Sequence, residues 1–163
     1  MSPLMARRNE RLVVVGKKTT VLLLLLVTLA MLGVTLWVSG KAYAKVDAVP
    51  FRDLRLLNDR MAEGPVPMPT LVALLTPLIF NMLLFVPWGF LMFVLLESPS
   101  RPTSQAYLLT FLFAIAFSAG VEAWQYFLPT RVTDINDVIG NVSGAIVGAI
   151  LGHLRKRVRI SFE

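Results

Sequence analysis

An all-α membrane protein, four transmembrane helices in a compact bundle with both termini on the cytoplasmic side, is the fold class this chain predicts. Three observations predict it. The 163 residues are 56% hydrophobic and only 16% charged. The charges are segregated, and 19–40, 65–96 and 102–121 contain none. Each of these runs reaches the roughly twenty residues that cross a hydrocarbon core at about 1.5 Å of helical rise per residue. Basic residues then flank the apolar stretches, with Arg7, Arg8, Arg11, Lys17 and Lys18 before the first and Arg155, Lys156, Arg157 and Arg159 after the last. A soluble domain of this size has too little interior to hide so much apolar surface.

Taken in order, residues 1–18 form a basic cytoplasmic arm and 19–39 the first transmembrane helix. Ala42-Tyr43-Ala44 then imitates the cleavage site of a secretory signal. The apolar run before it exceeds the roughly 7–15 residues of a signal's hydrophobic region, which favours an uncleaved anchor. Residues 40–69 form an external loop whose acids nearly balance its bases. Residues 70–155 are the core, with three further helices expected at about 69–96, 105–127 and 134–154. The early part of the second stretch, 69–77, is expected to tilt or lie at the interface, and Pro87 to kink the helix and free the carbonyl near Leu83. The fourth span carries Asp134 and Asp137 in its first turn, where acids complement the helix dipole, with Thr133 as N-cap. Residues 156–163 are a basic cytoplasmic tail. An even number of spans puts both basic ends on one side, and the excess of Lys and Arg makes that side the cytoplasm.

Composition also excludes. Without cysteine there is no disulfide or thiolate metal site, and the single histidine, His153, cannot form a His cluster. Nothing in the chain calls for a cofactor or a metal. The net charge of +6 sits beside the spans, which points to anionic lipid and topology rather than to nucleic acid.

The informative residue is Glu122, inside the third hydrophobic stretch. A charged side chain at the centre of a membrane helix costs about 2.5–3.5 kcal/mol on insertion scales, so it faces protein or water and has partners nearby. Ser118, Glu122 and Gln125 share one helical face by i, i+4 and i+3 spacing. Asp137 and Asn141 are likewise i and i+4 on the fourth span. In the four-span topology these residues, Asn81 from the second span, Asp134, and Arg131 from the loop all fall in the outer half of the membrane. The expected binding set is therefore Asn81, Glu122, Gln125, Arg131, Asp134, Asp137 and Asn141. Arg131 would hold Glu122 ionised, or would take a phosphate or carboxylate in its planar fork. The plainer readings are interhelical hydrogen bonding for Glu122, helix capping for Asp134 and Asp137, and an exposed loop cation for Arg131.

Gly140, Gly144, Gly148 and Gly152 recur every four residues and open one face of the fourth span to close approach. A neighbouring helix of the same chain fits there, and a homodimer seam through Gly140, Gly144 and Gly148 is the alternative. Trp37 and Trp124 suit interfacial belts.

Three blocks resemble the VanZ-like family of small bacterial membrane proteins. They are Asn81-Met-Leu-Leu-Phe-Val-Pro87-Trp-Gly89, Ser118-Ala-Gly-Val-Glu122-Ala-Trp-Gln125, and Pro129-Thr-Arg131-Val-Thr-Asp134-Ile-Asn-Asp137-Val-Ile-Gly-Asn141 with Gly144 and Gly148. The resemblance covers roughly residues 70–155, with Trp88 as its visible departure. It implies a multi-pass protein of the bacterial inner, cytoplasmic membrane, and a family named for resistance to teicoplanin, a lipid-bearing glycopeptide. It leaves any reaction open. The expected partner is a membrane lipid, a lipid-linked envelope precursor or an amphiphilic glycopeptide. The competing expectation is an intramembrane transferase or hydrolase with Glu122 or Asp137 as general base, or with Asp134 and Asp137 holding a divalent cation. A purely structural or partner-binding bundle is the third.

Overall fold

The fold is that of a computed structural model, in which residues 16–37, 46–128 and 132–155 are described. Five helices and one pair of short strands follow in the order α1 (Lys17–Trp37), β1 (Val46–Asp47), α2 (Arg52–Glu63), α3 (Met68–Leu96), α4 (Thr103–Tyr126), β2 (Thr133–Asp134) and α5 (Ile135–Leu154). Helices α1, α3, α4 and α5 are each long and apolar enough to cross a membrane. The chain is thus a multi-pass membrane protein, and the four expected spans correspond to these helices. The arm before residue 16, the tail after 155, Ala42-Tyr43-Ala44 and Arg131 lie outside the described residues.

Helices α3 and α5 form the central pair, with α4 against α5 and α1 against α3. The glycines explain the pairing. A Cβ on Gly144 would overlap the Met82 carbonyl, one on Gly148 the Val86 carbonyl, and one on Gly89 the backbone of Ala145. Backbone lies against backbone here, so no rotamer change makes room. Gly140, Gly144, Gly148 and Gly152 are all buried within the one chain. The intramolecular alternative thus accounts for the glycine face, which packs against α3 of the same chain.

Hydroxyls inside the apolar helices satisfy themselves locally. Thr28 and Thr35 donate back to the carbonyls of Leu24 and Met31 at 2.7 and 2.8 Å, the expected solution where no water competes. Thr28 also accepts from Trp88 Nε1 at 3.2 Å, tying α1 to α3. Trp88 stacks on Phe117 with ring centroids 5.5 Å apart, and Phe85 packs against both rings. Trp88 is thus the buried hub of α1, α3 and α4. Leu22, Leu25, Leu26 and Leu29 on α1, and Leu108 and Leu112 on α4, are exposed to what is lipid in a membrane.

Three local expectations are corrected. Residues 69–77 do not precede the helix: α3 starts at Met68 with Pro69 in its first turn, where a missing N–H costs nothing, and it continues through Pro77 and Pro87. Its 29 residues span about 43 Å by helical rise, well beyond a core of about 30 Å. The N-cap of α5 is Asp134, whose side chain accepts from the Asn136 N–H, rather than Thr133. Finally, residues 40–69 are not simply a loop. They hold β1 and α2, and β1 pairs in parallel with β2 in the register Val46 to Thr133 and Asp47 to Asp134.

Candidate functional site

Five of the seven expected site residues line one cavity. Asn81 on α3, Glu122 and Gln125 on α4, and Asp137 and Asn141 on α5 enclose about 310 Å³ together with Thr35 of α1 and apolar neighbours. The spacing arguments hold in three dimensions: Ser118, Glu122 and Gln125 are all buried on one face of α4. They look across at the first two turns of α5. The cavity sits at the bundle end where α1 and α4 finish and α3 and α5 begin.

The partners are more specific than proximity indicated. Asn81 Nδ2 donates to Asp137 Oδ1 at 2.5 Å, joining α3 to α5. Asn141 Nδ2 donates to Ser118 Oγ at 2.9 Å, joining α5 to α4. Gln125 Nε2 donates to the Thr35 carbonyl at 3.1 Å, joining α4 to α1. Glu122 Oε2 accepts the backbone N–H of Asp134 at 2.9 Å, and the Glu122 carbonyl accepts from Thr133 Oγ1 at 3.2 Å. Polar contacts thus bridge α3 to α5, α5 to α4 and α4 to α1 around the cavity. In an apolar medium each such contact contributes on the order of 0.6–2 kcal/mol.

Asp134 does not line the cavity. Its Oδ1 accepts from the Asn136 backbone N–H at 2.7 Å and from Asn136 Nδ2 at 2.8 Å, so it serves the start of α5 as the plainer reading expected. Asp134 Oδ1 is engaged in helix capping and Asp137 Oδ1 with Asn81, and no group of three or more metal-ligating side chains gathers among the described residues. Arg131, expected to pair with Glu122, lies outside them. The charged groups lining the described cavity are the two carboxylates, Glu122 and Asp137.

Asn141 is 3% exposed, and its Oδ1 has no hydrogen-bond partner among the described residues. Buried acceptors without partners are rare because each forfeits about 1–3 kcal/mol of solvation. The Ser118 hydroxyl satisfies one end of the amide, and the other is left over beside the cavity.

Sequence reasoning missed two contributors. Thr35 reaches the site through its backbone carbonyl, which no side-chain pattern announces. The 46–63 segment does not line the cavity but braces β2 and the start of α5 beside it, through β1 and through Asn136, which accepts from the Phe51 N–H at 2.5 Å and donates to the Val49 carbonyl at 3.1 Å. Here a signal did exist. Phe51, Leu54, Leu57 and Met61 recur at i, i+3, i+6 and i+10, opposite Arg52, Arg55, Asp59 and Glu63, the pattern of an amphipathic helix at an interface.

This corner is acid-sensitive. The Arg52 guanidinium beside Asp47, and then the Val49 N–H, hold the Asp47 carboxyl below its usual range. Burial, then the charge of Asp134, pushes the Asp53 carboxyl up. A depressed folded-state pKa means that Asp47 stabilises the corner above the unfolded value and ceases to as pH falls through the folded one. Asp53 acts oppositely, since it protonates earlier and its protonation relieves repulsion. Hydrogen exchange at residues 46–52 should stay slow from neutral pH until below the ordinary aspartate range and then accelerate. Asp47→Asn should be fast throughout.

Residues 19–156 match the family model described as VanZ/LLP1. The match reaches the first span and the 40–69 segment, well beyond the 70–155 region whose blocks carried the resemblance. No curated protein and no solved structure matches the chain.

Proposed function

The chain belongs to the VanZ/LLP1 family, and from that premise we propose that it captures the polar headgroup of an envelope amphiphile in the cavity beneath β2. The headgroup meets acceptors: the carboxylates of Glu122 and Asp137 and the amide oxygen of Asn141. Sugar hydroxyls and amines, as carried by a lipid-linked wall intermediate or by a glycopeptide such as teicoplanin, supply the matching donors. Asn81 and Gln125, fixed by Asp137 and by the Thr35 carbonyl, position the walls. Arg131, next to β2 in sequence, is the group suited to any phosphate on the same ligand.

The carrying observation is the buried Asn141 Oδ1, which has no hydrogen-bond partner among the described residues, in a cavity whose other polar side chains are hydrogen-bonded. On the positive-inside reading, this end of the bundle faces outward from the bacterial inner membrane. Cysteines introduced at positions 55 and 132 then react with an impermeant reagent from outside.

Native mass spectrometry of gently extracted protein tests the binding, with lipid-linked wall intermediate and teicoplanin as offered probes. Wild type should retain one of them, and Asn141→Leu and Asp137→Asn should lose it by about tenfold or more, the loss of one or two hydrogen bonds to buried groups. Equal retention by all three proteins removes the site.

A further inference from the structure

A second cavity, at the far end of the same helices, is built around cations. It encloses about 440 Å³ and is lined by Lys17 from the start of α1, Glu97 at the end of α3, Arg101 from the α3–α4 connection, and Arg155 just beyond α5. From Asn81 to Leu96 along α3 is about 22 Å by helical rise, so the two cavities are separate and lie at different depths in the bundle. Three cations from three separate elements meet one carboxylate there.

The charges are not mutually satisfied. Arg155 Nη2 pairs with Glu97 at 3.0 Å. Lys17 and Arg101 enter no ion pair among the described residues. Arg101 Nη1 instead donates to the Leu96 carbonyl at 2.7 Å, and Arg155 Nη1 to the Gly152 carbonyl. These bonds satisfy the last carbonyls of α3 and α5 and hold each guanidinium in place. Each fork keeps further N–H donors for a ligand. Val94, Leu95, Leu96 and Pro99 form an apolar stretch of the remaining wall, to which Thr20 and Ser98 add hydroxyls.

We propose that this basic cavity binds the phosphate of an anionic phospholipid, with Lys17 and Arg101 on the phosphate and the acyl chains along Val94 and Leu95. A phosphate ester answers the excess cationic charge and the fixed forks. The apolar wall beside it selects a lipid over a free anion. Glu97 tunes the site by holding Arg155 back from the ligand.

The test uses purified full-length protein offered equal amounts of phosphatidylglycerol and phosphatidylcholine, with retained lipid counted by native mass spectrometry. Wild type should retain phosphatidylglycerol in preference. Lys17→Gln and Arg101→Gln should each cut that preference about fivefold, the usual weight of one cation facing an anionic headgroup. Glu97→Gln should raise it by releasing Arg155, a gain that a damaged fold does not produce. Lys17 is exposed, so its variant separates binding from folding. Asn141→Leu should leave the preference unchanged, which keeps this site distinct from the first cavity. Equal retention of the two lipids by wild type, or an unaltered preference in the Lys17→Gln/Arg101→Gln double variant, overturns the proposal. Full displacement of phosphatidylglycerol by excess inorganic phosphate overturns the lipid assignment in favour of a free-anion site.

Discussion

Gly144→Ala should destabilise the bundle by about 2 kcal/mol, while Gly120→Ala should leave it unchanged or slightly firmer. Both substitutions add one methyl group to a membrane helix. At Gly144 the new Cβ would overlap the Met82 carbonyl, and at Gly120 nothing lies within 4 Å. The Met82 carbonyl belongs to the backbone of α3 and cannot rotate away, so α3 and α5 must separate. Forced overpacking of this kind costs about 1–3 kcal/mol. The upper end applies because the displaced partner is a whole helix and the face is shared with Gly140 and Gly148. Alanine's better helix propensity returns up to about 1 kcal/mol, which is the whole effect expected at Gly120 and at Gly33. Thermal unfolding in detergent, followed by tryptophan fluorescence, reads the contrast. Equal shifts at Gly144 and Gly120 would mean that α3 and α5 are not in backbone contact.

Glu122→Leu should lose about 2–3 kcal/mol and release the β1–β2 corner, whereas Glu122→Gln should lose only about 1 kcal/mol. The Glu122 carboxylate is buried and accepts the Asp134 N–H at the start of α5. Leucine leaves that donor unsatisfied in a dry environment, and the cost is its solvation rather than the net worth of one bond. Glutamine keeps an acceptor oxygen in the same place. The register of β1 on β2 ends at Asp134, so Glu122→Leu should also speed hydrogen exchange at 132–136 and at 46–47. Glutamine also separates charge from hydrogen bonding in the proposed headgroup site, since it removes the first and keeps the second. Should Leu and Gln prove equally mild, the carboxylate would not be anchoring α5.

The spans were legible because hydropathy over twenty residues is a strong signal. The expected 134–154 became α5 (Ile135–Leu154), and 19–39 became α1 (Lys17–Trp37). The polar set was legible for a related reason. Helical rise assigns every residue a depth, and Asn81, Glu122, Gln125, Asp137 and Asn141 share one. Their pairing was not legible. Glu122 holds the Asp134 backbone, and Asn141 bonds Ser118, a residue read only as part of a helical face; the expected pairing of Glu122 with Arg131 falls outside the described residues. The two-residue strands carry no periodicity at all. The amphipathic α2 did carry one, hidden within a segment read only by its charge balance.

From its order of residues alone, the chain determined that it is a multi-pass membrane protein, where its apolar spans lie, and which polar side chains gather in one layer of the bundle. The tertiary structure decided direction around each helix axis: that the glycines of α5 face α3, and which polar group meets which. The physical reason is that lipid and a membrane protein's interior are nearly equally apolar. A spanning helix therefore bears little amphipathic imprint of the side on which its neighbours lie, and only close packing of backbones and pairing of a few polar groups distinguish one side from another.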